Sequence, residues 1–130
     1  MNSGAIRRRV AVGLAALTAS GLLAVAVPGQ AQAAASACEG RKVRSFPFST
    51  GTVEVYKRGG YLCAVTLPKR PGVRQHMRVS LRAYGLQPVE DVGRYKYRAG
   101  PVTVHAGQRK VWVKGEVGRG KYDSGRFIRI

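Results

Sequence analysis

The chain has 130 residues, of which 23 are Lys or Arg and six are Asp or Glu, for a formal net charge of +17. A chain this short is one small domain, which excludes a multidomain architecture. Its charge keeps it soluble by self-repulsion and predicts attraction to polyanions.

Residues 1–33 read as a secretory signal peptide. Arg7, Arg8 and Arg9 form a positive start, and residues 10–27 follow as an uncharged Ala- and Leu-rich stretch. Pro28-Gly29 ends it, and Ala31-Gln32-Ala33 puts small residues at the two positions a signal peptidase reads. Three other readings of this region stay open. One is a weakly hydrophobic membrane anchor. A second is a twin-arginine export signal at Arg8-Arg9, although Val10-Ala11-Val12 departs from that pattern. The third is a lipoprotein acylated at Cys38, after the loose lipobox Ala35-Ser36-Ala37.

Cleavage after Ala33 leaves 97 residues, with twenty basic side chains against all six acidic ones, or +14. Cys38 and Cys63 are the only cysteines. In an oxidising compartment such a pair is expected to form one disulfide. Closing a loop of about 25 residues contributes roughly 3.5 kcal/mol in the chain-entropy account.

Residues 34–51 are expected to be an extended lead-in to a β-domain of residues 52–130. Phe46-Pro47-Phe48 packs on the core there, with Pro47 barred from a central strand. Residues 52–56 alternate, with Val53 and Val55 on one face. Arg58-Gly59-Gly60 turns the chain into a second strand, residues 61–67, with Cys63, Val65 and Leu67 on one face. Lys69-Arg70-Pro71-Gly72 is the next turn.

Residues 77–84 are the clearest strand. Met77, Val79, Leu81 and Ala83 face one way, and Arg78, Ser80, Arg82 and Tyr84 the other. Residues 85–93 read as a loop holding Glu90-Asp91, and residues 94–98 as a strand with Arg94, Lys96 and Arg98 outward. Ala99-Gly100-Pro101 reads as a break before Val102 and Val104. Residues 109–114 place Val111 and Val113 inward and Lys110, Trp112 and Lys114 outward, and residues 126–130 finish as a strand. No segment has a helical period. About seven or eight short strands predict an all-β fold, a small antiparallel β-sandwich or barrel.

No catalytic constellation emerges, so no enzyme activity is expected. Glu90-Asp91 is the only adjacent acidic pair and is expected to meet nearby arginines. No serine sits in a nucleophile-elbow pattern. His76 and His105 are not at ligand spacing with the cysteines, so neither metal nor cofactor is expected. The candidate site is cationic: Arg78, Arg82, Arg94, Lys96, Arg98, Lys110 and Lys114, with Trp112 among them, on one sheet face. Aromatics among cations suit stacking on sugars or bases while the cations hold phosphate or carboxylate.

The stretch 63–115 carries Cys63-Ala64-Val65-Thr66, then Asp91-x-Gly93-x-Tyr95-x-Tyr97-x-Ala99-Gly100-Pro101-Val102-x-Val104-x-Ala106, then Val111-x-Val113-x-Gly115. In these residues it resembles the spore-associated protein A-like group, small secreted proteins of filamentous actinomycetes. The resemblance implies an exported protein of the cell or spore surface and no established activity. It also implies further cysteines near Lys110 and the C-terminus. This chain has Lys110 and Arg129-Ile130 there, so the second bridge is missing.

The functional expectation is a secreted, non-enzymatic cationic β-domain that associates with an anionic cell-wall polymer or spore surface. Two alternatives remain. One is an inhibitor of a secreted hydrolase, presenting residues 69–72 or 118–121. The other is a cationic antimicrobial protein.

Overall fold

The computed structural model describes residues 37–130. The expected signal peptide and its anchor and twin-arginine alternatives lie outside them, whereas Cys38, the acylated residue of the lipoprotein alternative, is bonded to Cys63 instead. Eight strands follow one another: β1 (Arg41–Phe48), β2 (Gly51–Arg58), β3 (Tyr61–Pro68), β4 (Gln75–Ala83), β5 (Val89–Tyr95), β6 (Ala99–His105), β7 (Val111–Val117) and β8 (Gly120–Asp123). They form two four-stranded antiparallel sheets, β1-β2-β3-β6 and β5-β4-β7-β8. Among the described residues no helix is long and apolar enough to cross a membrane.

Alternation builds the core. Val53 and Val55 of β2, Leu62 and Ala64 of β3, and Val102 and Val104 of β6 join Met77, Val79 and Leu81 of β4 and Val111, Val113 and Val117 of β7 in one buried cluster. Thr66 is fully buried among them, and its hydroxyl donates to the Arg78 carbonyl at 2.9 Å, linking the two sheets. Gly115 faces Val53 and Thr66 so closely that any Cβ there would collide with both. A second, smaller cluster lies on the outer face of the first sheet. There the Cys38–Cys63 disulfide packs with Tyr56 and Val65.

Several expectations are corrected. Residues 41–48 of the expected lead-in are a strand, so the β-domain begins well before residue 52. β1 pairs only with β2, and an edge position tolerates Pro47, which has no N–H to donate. Phe46 stacks on Tyr122 of β8 at 4.7 Å and closes that side of the sandwich. The expected loop 85–93 is half strand, because β5 takes residues from Val89 onward. The expected strand 94–98 ends at Tyr95, so Lys96 and Arg98 fall in the connection to β6. The expected break at 99–101 lies within β6. The C-terminal residues make an isolated bridge, Val111 with Ile128, and no strand.

The Asp91-x-Gly93-x-Tyr95 run is a clasp. On a strand these three residues share a face, and Gly93 leaves room for the Tyr95 ring to lie over it. The Tyr95 hydroxyl reaches Asp91 Oδ1 at 2.5 Å, while Asp91 Oδ2 accepts the Gly100 amide at 2.8 Å. β5 of one sheet is thereby tied to β6 of the other. The hydrogen bond to Asp91, chiefly, raises the Tyr95 hydroxyl above its ordinary pKa. Losing a carboxylate acceptor from a backbone amide costs about 1.5–3 kcal/mol. Asp91→Ala is therefore expected to lose that much in urea unfolding, and Asp91→Asn less.

Candidate functional site

The outer face of the second sheet carries most of the residues expected to bind polyanions. Strand register sets them in rows. Val92, Arg78, Glu116 and Lys121 form one row, and Glu90, Ser80, Lys114 and Asp123 the next. Arg82 then stands beside Trp112, and Arg94 beside His76. Arg78, Arg82, Arg94, Trp112 and Lys114 therefore do share a face. Lys96 and Arg98 are not on it, and Lys110 lies just before β7, where its carbonyl accepts from the Tyr84 amide.

This face is not a continuous cationic surface. Glu90, Glu116 and Asp123 interrupt it. Arg78 spends its guanidinium on Glu90 at 2.7 Å and Glu116 at 3.3 Å, and the Glu90 bond chiefly raises its pKa. His76 Nε2 meets Glu116 at 2.8 Å. Trp112 donates its indole N–H to Asp123 at 2.6 Å. Of the adjacent acidic pair, Glu90 meets an arginine as expected, whereas Asp91 turns to the opposite face. Only Lys42, Arg58 and Arg78 form carboxylate ion pairs among the described lysines and arginines.

The bond from His76, with help from Arg78, holds the Glu116 carboxyl below its ordinary pKa of 4.5. A depressed carboxyl stabilises the fold above its ordinary pKa and loses that contribution as pH falls through its folded value. Glu116→Gln is thus expected to be less stable than the parent at pH 6. The gap should narrow steadily below pH 4.5. A gap of constant size in unfolding curves from pH 6 to 3 would count against this account.

Six of the cations without a carboxylate partner lie at one end of the sandwich. Four connections meet there: residues 49–50, 69–74, 96–98 and 118–119. Backbone bonds lock three of them together, Lys69 N–H to the Thr50 carbonyl at 2.9 Å and Gly72 N–H to the Lys96 carbonyl at 2.8 Å, while Gly118 N–H bonds to the His76 carbonyl of β4 at 2.8 Å. The Thr50 hydroxyl donates to Val117 at 2.7 Å, and Arg74 to the Arg94 carbonyl at 3.2 Å. These four connections carry Lys69, Arg70, Arg74, Lys96, Arg98 and Arg119, and no carboxylate. Tyr97, 62% exposed, stands between Lys96 and Arg98. A cleft of about 340 Å³ opens here against Ser49, Thr50, Lys69, Arg70 and Gln75.

The loop end is the part of the site that strand alternation misses. Its signal in the sequence is the run of turns holding only basic charge. Another cavity, about 660 Å³, lies near the disulfide between Ala37, Tyr61, Cys63 and Thr103. Its charges, Glu39 and Arg58, pair with each other. Among the described residues no group of three or more His, Cys, Asp or Glu is placed to hold a metal ion. No protein-family model, curated protein or solved structure matches the chain.

Proposed function

We propose that this is an exported, non-enzymatic domain that adheres to an anionic polymer of the cell envelope or spore surface through its four-loop end. One observation carries the reading: six cations on four connections at one end, three of these connections bonded to one another, with no carboxylate in any of them. Holding like charges together in a small domain disfavours folding through self-repulsion, and a polyanion relieves that repulsion. The resemblance to the spore-associated group agrees in location. The test is co-sedimentation with purified cell wall across a salt series. Retention should fall steeply between low and high salt. Equal retention at both would sink the reading.

A hydrolase inhibitor is the second reading, favoured by the β3–β4 connection. Residues 69–72 are exposed and held at both ends by backbone bonds, the kind of pre-organisation that lowers the entropic cost of binding. A panel of secreted proteases and glycosidases, assayed with and without the protein, separates it from adhesion. Inhibition of any one at stoichiometric protein supports it.

A further inference from the structure

On the outer face of the second sheet, away from the loop end, a cleft of about 190 Å³ lies between β4, β5 and β7. Its lining is chemically mixed. Pro88 and the Trp112 ring supply apolar walls, and Ser80, only 4% exposed, places a hydroxyl in the floor. Trp112 is held in place by its indole bond to Asp123 and by edge-to-face packing on Phe127. Arg82 gives only its Nε, to the Leu86 carbonyl at 2.9 Å, and lies over Phe127. Its terminal nitrogens and the Lys114 ammonium have no carboxylate partner among the described residues. Arg78 is the opposite case, a cation already neutralised, although its buried Nε has no partner among the described residues.

We infer that this cleft binds a single carboxylate-bearing sugar residue, a hexuronate. Its volume is below the roughly 300–1,000 Å³ of sites for drug-sized ligands, which suits one ring. The two free cations, Arg82 and Lys114, match one carboxylate. A sugar's hydroxyls both donate and accept, so they satisfy the Glu90 carboxylate and the Ser80 hydroxyl together. Inorganic phosphate fits worse, because its oxygens are nearly all acceptors and cannot donate to the Glu90 carboxylate and the Ser80 hydroxyl as sugar hydroxyls do. A neutral hexose offers Arg82 and Lys114 no counter-charge. The inference adds a second, discriminating site to the proposed adhesion, and its test is independent of the loop end.

Trp112 is the only tryptophan of the chain, so intrinsic fluorescence reports on this cleft directly. The experiment titrates the protein with glucuronate, glucose and inorganic phosphate at constant ionic strength. The expected result is a saturable change with glucuronate, at least tenfold weaker binding of glucose, and no saturable change with phosphate. Arg82→Ala should weaken glucuronate at least tenfold. Should that variant fail to fold, Lys114→Gln carries the same expectation without touching the Leu86 bond. Arg41→Ala, exposed on β1 of the first sheet, should leave the titration unchanged. The inference is overturned by no saturable response to glucuronate, by equal binding of glucose or phosphate, or by an unchanged glucuronate affinity in a folded Arg82 or Lys114 variant. None of these outcomes bears on salt-dependent retention on cell wall, so the two readings fail separately.

Discussion

Replacing Cys38 and Cys63 together by alanine is expected to lower stability by about 3.5 kcal/mol, the chain-entropy value for this loop. The bridge spans a separation of 25 residues and joins the segment before β1 to the middle of β3. Without it, an edge strand that contains Pro47 is held by β2, by Phe46 on Tyr122, by Val43 and Phe48 on the core, and by the Arg44 bond to the Arg129 carbonyl. In a domain of this size each kcal/mol moves the melting midpoint by roughly 4–8 °C, so a drop of about 14–28 °C is expected. Tyr56 reports the same loss. Burial, with a hydrogen bond from its hydroxyl to Glu54, pushes it up to about 12. A raised tyrosine favours the neutral form in the fold, so its contribution is full below pH 10 and fades as pH rises towards 12. In the bridgeless chain Tyr56 is expected to ionise closer to the ordinary value, seen as earlier phenolate absorbance in an alkaline titration. A midpoint shift of only a few degrees, with Tyr56 still titrating late, would show that packing alone holds the N-terminal edge.

Strands that pair on both sides were legible; edges were not. Met77, Val79, Leu81 and Ala83 alternate strictly with Arg78, Ser80 and Arg82 because β4 is central and half-buried, with its apolar side chains on the core. β5 is an edge strand, and it inverts the rule. Val92 is 51% exposed, while Asp91 and Gly93 point inward to serve the clasp with Tyr95. An alternation test reads that pattern as a loop. β1 is hidden for a related reason, since Pro47 and a register shift between Lys42 and Arg44 break its period.

The candidate site divides in the same way. Which cations point outward follows from local alternation, and Arg78, Arg82 and Lys114 do share a face. Which carboxylates neutralise Arg78 does not follow, because Glu90 and Glu116 arrive on β5 and β7, as Asp123 arrives on β8. Only the order β5-β4-β7-β8 sets them beside Arg78, Lys114 and Trp112. The loop end is non-local in a stronger sense. Residues 69–74 and 118–119 are far apart in sequence, and nothing in either segment announces the other. Topology brings them together, and it moves the weight of the site from a sheet face to turns.

That shift makes a quantitative prediction. If the six loop cations each displace a counterion on binding, affinity for a dense phosphate polymer should fall roughly 10³-fold between 50 and 200 mM salt. Replacing Lys69, Arg70, Lys96 and Arg119 by glutamine leaves two of the six. The same salt step should then cost roughly tenfold. The variant should fold. Lys69 and Lys96 lock the loops through backbone N–H and carbonyl groups, Arg70 offers its carbonyl to Gln75, and none of these bonds uses the substituted side chains. Arg74 is left alone because its guanidinium does bond the β5 backbone. Removing four crowded like charges should leave the melting midpoint unchanged or raise it, which separates lost binding from lost structure. The paired control, Arg82→Gln with Lys114→Gln on the sheet face, should keep most of the steep salt dependence. If the sheet-face pair flattens the salt slope and the loop-end set does not, adhesion belongs to the sheet face and the four-loop end is only a solvated coat.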